Sequence, residues 1–229
     1  MTAPLCLLTR PEAQSRAFAA ELPGVDCLIA PLLRIVAVPF ERSQVDAAPG
    51  LVFTSAHAVG AAGPGQGRAA LCVGPQTAQA AREAGFTVTE GPGDGDGLIP
   101  MLRERPGWLH LRGRHVAVQL PVPGIVVYDQ LAMPLSEAGQ KALDGKRPLI
   151  LPLFSPRSAA LISGPAASAA ASIVSVAISA RSDAAYRGKS VRRLIAEYPA
   201  RQAMVDAVMA LISLERSGQP WVEAERGGR

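Results

Sequence analysis

Four short motifs place a hydroxyl residue where an apolar run gives way to a helix-like stretch: FTSAH with Ser55, VGPQT with Thr77, FSPRS with Ser155 and ISARS with Ser182. A Ser or Thr at such a point can cap the helix that follows, or it can donate to a ligand beside free backbone N–H groups. Helix N-termini also carry the positive end of the macrodipole, so the chemistry these turns suit is the holding of carboxylate or phosphate. For any one turn, capping and ligand binding stand level. The recurrence of four, in two copies, points to a ligand. His57 falls in the first turn after FTS, where it can face either a cleft or solvent.

Other chemistries lack their patterns. His57, His110 and His115 have no HExxH-type spacing and no clustered Cys or carboxylate partners, so no metal is expected. Gly65, Gly67 and Ala70 fit a dinucleotide fingerprint but precede the strand ALCVG instead of following one. The stretch from Gly139 to Lys146 has one residue too many for a phosphate-binding loop, and no GxSxG elbow occurs. No cofactor is expected. Cys6, Cys27 and Cys72 are odd in number and far apart, which predicts plain core residues and no disulfide framework.

Composition narrows the partners. The 229 residues are 48% hydrophobic and 18% charged, a globular balance. A net charge of +4, mostly from arginine, suits an anionic partner. Scattered arginines and only 4% aromatics argue against nucleic acid. No apolar run approaches the ~20 residues of a membrane span. The opening MTAPLCLLTRP is broken by Arg10 and Pro11 too early for an export signal, so a cytoplasmic location is expected.

The elements that would position the turns alternate. PLCLLT, PEAQSRAFAAELPG and DCLIAPLLRIVAVPF read as strand, helix, strand, with Thr9 and Glu12 spaced as a capping box and Gly24 closing the helix. GLVFT and ALCVG each run into a helical stretch, AHAVGAAG and TAQAAREAG. FTVTEGP, DGLIPMLRER and WLHLRG follow, and alternation of this kind implies a mainly parallel sheet covered on both faces. After the extended IVVYDQLAMP the pattern repeats: RPLILPLFS leads into PRSAALISG, and ASIVSVAIS into ARSDAAYRG. Ser55 aligns with Ser155 and Thr77 with Ser182, an internal duplication. GPAASAAAS reads as a low-complexity connector, RQAMVDAVMALI as an amphipathic packing helix, and the polar end SGQPWVEAERGGR as a segment that frays.

The ordered set LLTRPEAQSRAFAAEL, LVFTSAHAV, LCVGPQTAQAAREAG, LHLRG, VVYDQ, LFSPRSAA and VAISARSDAA resembles the uroporphyrinogen-III synthase family of tetrapyrrole and haem biosynthesis. The resemblance implies an α/β fold of two similar lobes with parallel sheets flanked by helices, joined by a two-stranded β-ladder. Residues 1–34 and 133–229 would form one discontinuous lobe, 38–123 the inserted lobe, and 35–37 with 124–132 the ladder. Substrate would lie between the lobes.

The implied reaction is that of a cofactor-free cyclising lyase. Hydroxymethylbilane, a linear polycarboxylate, loses water, and the resulting cation attacks the last pyrrole ring, which is inverted through a spiro intermediate to give uroporphyrinogen III. The resemblance assigns Tyr128, in VVYDQ, to assisting loss of the hydroxyl, since a phenol holds a proton it can share at neutral pH. Ser55, Thr77, Ser155 and Ser182 match its cleft-facing hydroxyls, and Arg10 and Arg114 would meet carboxylates. Two departures stand out: Ser179 where the family usually has glycine, and a short Pro-rich VAVQLPVPG after LRGRH. A monomer with no nucleic-acid or membrane partner is expected. A non-catalytic two-lobed binding protein for an anionic small molecule is the competing reading, and it would not need Tyr128.

Overall fold

A computed structural model of the chain describes residues 3–217. The end expected to fray lies, from residue 218 onward, outside the described residues. Along the chain run β1 (Leu5–Leu8), α1 (Glu12–Ala19), β2 (Cys27–Ile29), β3 (Leu33–Ala37), α2 (Arg42–Ala47) and β4 (Gly50–Phe53). Two 3-10 turns, Ala56–Ala58 and Gly60–Ala62, lead to β5 (Ala69–Cys72), α3 (Pro75–Glu83), β6 (Thr87–Glu90), α4 (Leu98–Leu102), β7 (Leu109–Gly113) and β8 (Gly124–Ala132). There follow α5 (Glu137–Asp144), β9 (Leu149–Leu153), α6 (Pro156–Ala167), β10 (Ile173–Ala177), α7 (Ala180–Ala185), β11 (Arg192–Ile195) and α8 (Arg201–Arg216).

The chain divides into two compact units. One holds the residues up to Arg34 and from Ala132 on; the other is Ile35–Leu131. The divided unit carries a five-stranded sheet in the order β11-β10-β9-β1-β2, all parallel. The continuous unit carries a sheet in the order β3-β8-β7-β4-β5-β6. Val38 donates to the Val127 carbonyl and Met133 to that of Leu32, so β3 and β8 run in opposite directions. The remaining neighbours are parallel.

Parallel strands covered on both faces read as unbroken apolar runs, because neither face meets water. LILPL of β9 and IVSVA of β10 are buried at every position. Their side chains still alternate: Ile150, Val174 and Val176 pack with Phe18, Met204 and Val208, whereas Leu149, Leu151 and Ile173 pack with Leu143, Ile162 and Tyr186. β1 and β9 are in register at Leu5–Leu149 and Cys6–Ile150, and Pro152, further along β9, has no N–H to extend the ladder. In the continuous unit one face of the sheet packs under Ala58, Ala78 and Ala81, and the other under Leu98, Leu102 and Leu120. Among the described residues no helix is long and apolar enough to cross a membrane.

Several local expectations are corrected. Thr9 and Glu12 form no capping box: Pro11 is the N-cap of α1, Glu12 pairs with Arg16, and the buried Thr9 hydroxyl has no hydrogen-bond partner. The cause is register, since Thr9 still belongs to the strand end and its carbonyl accepts from Leu32. The helix stops at Ala19, so Gly24, at φ +70°, serves the turn beyond it and not the cap. DCLIAPLLRIVAVPF breaks at Pro31 into β2 and β3. AHAVGAAG forms two 3-10 turns because Gly60 and Gly63 interrupt it. The supposed connector continues α6 through Ala167, with Pro165 inside the helix.

Candidate functional site

The two sheets share one connectivity. Starting at β8, the continuous unit reads β8-β7-β4-β5-β6; starting at β2, the divided unit reads β2-β1-β9-β10-β11. The chain enters them at different points but visits equivalent strands in the same cyclic order. The turn after β4 therefore corresponds to that after β9, β5 to β10, and β7 to β1. Ser55 and Ser155 occupy equivalent places, as do Thr77 and Ser182, and by strand register Arg112 and Arg10. Ligands of parallel sheets sit at these carboxyl ends, where helix N-termini are exposed.

Local geometry separates caps from other hydroxyls. Ser55 Oγ accepts from the His57 amide at 3.3 Å, and Ser155 Oγ accepts from the Ser158 amide at 3.1 Å, so both are N-caps. Thr77 and Ser182 are not: their helices begin three residues earlier, at Gly74 and Ser179. Ser179 Oγ accepts from the Ser182 amide at 3.3 Å and lies 3.2 Å from its hydroxyl, leaving Ser182 buried. The serine that departs from the resemblance thus takes over the capping that glycine leaves undone at Gly74, where no side chain caps. Gly74 is extended at φ −175°, so its backbone alone does not demand glycine.

The residue ahead of each leading cap is fixed by the neighbouring strand, by different means. Thr54 Oγ1 is 2.9 Å from Nε2 of His110 on β7. His110 is 3% exposed, and burial, with the Arg112 charge second, lowers its pKa to about 4, so it is neutral. In the divided unit, Phe154 carries the Arg10 guanidinium 4.1 Å above its ring. Burial, then the nearby charge of Arg201, lowers the Arg10 pKa to about 10, which still leaves it cationic at neutral pH.

Tyr128 lies on β8 beside the end of β7. The register slips between Arg112 and Gly113, so that Gly113 faces Tyr128 and Val127 is the extra residue. A bulge interrupts side-chain alternation, and Val127 and Tyr128 accordingly join the same core cluster. The tyrosine ring lies over Gly113: a Cβ there would come within 2.7 Å of Cζ and 2.9 Å of the hydroxyl. On the other side stands the His57 ring, 5.6 Å between centroids and tilted by 60°. Tyr128, His57, the Ser55 cap and Gly113 are therefore brought together in the continuous unit.

Charge divides the two sets of turns. At the second helical position the divided unit has Arg157 in α6 and Arg181 in α7; the continuous unit has His57 and Gln76. The divided unit adds Arg10 after β1 and Arg201 at the first residue of α8, whose Nη2 contacts Glu21 at 2.5 Å while its buried Nε has no hydrogen-bond partner. Arg114 is engaged within its own unit: its Nε donates to Asp129 Oδ2 at 2.7 Å, and that hydrogen bond, foremost, holds the Asp129 carboxyl below its usual range. Arg157, Arg181, Arg201 and Ser179 went unassigned at the sequence level, although FSPRS and ISARS display the first two in matching places. A cavity of about 580 Å³ lined by Arg42, Asp46 and residues 64–68 opens at the amino end of β5, away from these turns.

Residues 17–206 match the family described as uroporphyrinogen-III synthase HemD. The chain belongs to that family. Among solved structures, the uroporphyrinogen-III synthetase of Helicobacter pylori 26695 is similar with a TM-score of 0.66 at 16% identity, covering 92% of this chain and 100% of that one. A mutant uroporphyrinogen III synthase of Thermus thermophilus aligns with a TM-score of 0.51 at 17% identity, covering 94% and 100%. At such identities these two establish the shared fold. No curated protein matches the chain by sequence.

Proposed function

We propose that this member of the uroporphyrinogen-III synthase family cyclises hydroxymethylbilane with loss of water and inversion of the last ring, as a cytoplasmic monomer. The observation that carries the site assignment is the grouping of Tyr128, His57 and the Ser55 cap against Gly113 in one unit. It is supported by the cationic turns of the other unit.

In this reading Tyr128 donates a proton to the departing hydroxyl, a general-acid role worth about 10²–10⁴ in rate. Removal of water leaves a cation delocalised over the terminal pyrrole. At 6% exposure Tyr128 is itself largely shielded from bulk water. The carboxylates meet Arg10, Arg157 and Arg181, together with amides beside Ser155 and Ser179. Thr77 and Ser182 shape their helix starts from inside, while Arg114 orders the end of β7 through Asp129. Because the linear substrate closes spontaneously without inversion, selectivity rests on holding its ends at the productive angle.

An isomer assay tests the reading. Folded protein given hydroxymethylbilane should yield the inverted isomer III in excess of the spontaneous isomer I. Binding of the substrate with isomer I alone formed would instead favour the non-catalytic binding protein.

A further inference from the structure

Cys6 and Cys27 are far apart in sequence, but β1 and β2 pair them directly: Cys6 is the register partner of Cys27. Both side chains join one core cluster, so they lie on the same face of the sheet. Neighbouring strands are about 4.8 Å apart, within the Cα separation of about 4.4–6.8 Å that a disulfide spans. The two thiols are close enough to shift each other's ionisation in opposite directions. Cys6 is fully buried; Cys27, on the edge strand, is partly exposed. All three cysteines are free and packed on core clusters, as expected; the adjacency of Cys6 and Cys27 is what the sequence did not show.

We propose that Cys6 and Cys27 form an oxidisable dithiol that a peroxide-class oxidant converts into an intramolecular disulfide. The accessible Cys27 sulfur attacks the peroxide, breaking its O–O bond; a sulfenic acid forms and the first water leaves. The Cys6 sulfur then attacks that sulfur, the S–S bond forms, the S–O bond breaks and a second water departs. Two thiols are oxidised, one peroxide is reduced to two waters, and both thiol protons end in water. Reactivity of this kind belongs to the thiolate. The neighbouring Cys6 thiol lowers the Cys27 pKa, against burial, while Cys27 and burial raise that of Cys6. Cys72 is buried in the other unit and pushed up to about 11 by burial, so it serves as an internal control.

The test treats the reduced, folded full-length chain with hydrogen peroxide and reads intact mass and a non-reducing peptide map. Expected are the loss of two hydrogen atoms, one peptide linking Cys6 to Cys27, Cys72 still alkylatable after denaturation, and reversal by dithiothreitol. Cys6→Ser should leave Cys27 oxidised beyond sulfenic acid with no link, and Cys27→Ser should leave Cys6 a thiol. The proposal is overturned if wild-type Cys6 stays a free thiol while Cys27 gains oxygen, or if the only disulfides formed join separate chains. Circular dichroism of each variant shows whether it is folded.

Discussion

The two units use one strand connectivity and place different chemistry at its carboxyl end. In the divided unit arginines stand after β1, at the starts of α6 and α7, and at the start of α8: Arg10, Arg157, Arg181 and Arg201. In the continuous unit the equivalent helix starts carry His57 and Gln76, Arg114 is paired with Asp129, and a bulged strand brings Tyr128 over Gly113. In the proposed reading, duplication supplied the cradle twice, and one copy holds the anion with its arginines while the other is arranged around a phenol.

The largest expected effect breaks that division at its reactive side. Tyr128→Phe should lower the rate of isomer III formation by on the order of 10³-fold with KM unchanged, and Gly113→Ala should follow in direction because its Cβ intrudes on the ring. Tyr186 of the divided unit, whose hydroxyl donates to the Lys189 carbonyl at 2.7 Å, is the counter-case. Tyr186→Phe should keep turnover and cost about 1 kcal/mol in denaturant unfolding.

Next comes acid sensitivity, expected of the continuous unit through His110. Its folded pKa, near 4, lies below the ordinary value of 6.5, so the unfolded chain takes up a proton first as pH falls. Stability contributed by neutral His110 is complete above about pH 6.5 and is lost as pH falls toward 4, by about 3 kcal/mol over the window. Urea midpoints measured from pH 7 to 4.5 should show the slope, and His110→Gln should flatten it. Persistence of the full slope in that variant would assign it to other groups.

The smallest effect sharpens the comparison of caps. Ser155→Ala should cost about 1 kcal/mol, because it uncaps the twelve-residue α6. Ser55→Ala, which uncaps a single 3-10 turn through a longer 3.3 Å contact, should cost only a few tenths. Equal losses in thermal melts would show that the two serines are structurally interchangeable.

Much of this was legible in the sequence because apolar runs and turn residues act locally. Continuous runs such as LILPL and IVSVA announce buried parallel strands, and the FTS and FSP turns announce their caps. What stayed hidden depends on register between distant segments. The pairing of Cys6 with Cys27, the bulge that turns Tyr128 onto Gly113, and the His110–Thr54 contact each join residues whose neighbours in sequence give no sign of them. Thr9 misled for the same reason: its S/T-x-x-E spacing is local, but the strand pairing that claims its backbone is not. α2 and β11 were missed as well, being short and mostly polar, and α5 was missed although Ser136 caps it and its few apolar residues share one face.

The division of labour is tested most directly by isomer-resolved kinetics on two paired variants, Arg157→Ala with Arg181→Ala against His57→Ala with Gln76→Ala. Loss of a charge-assisted contact costs about tenfold each, so the arginine pair should raise KM for hydroxymethylbilane on the order of 100-fold with kcat for isomer III little changed. The His57 and Gln76 pair should leave KM within a few-fold and lower kcat. Equal KM increases in the two pairs, or a kcat loss confined to the arginine pair, would contradict the account.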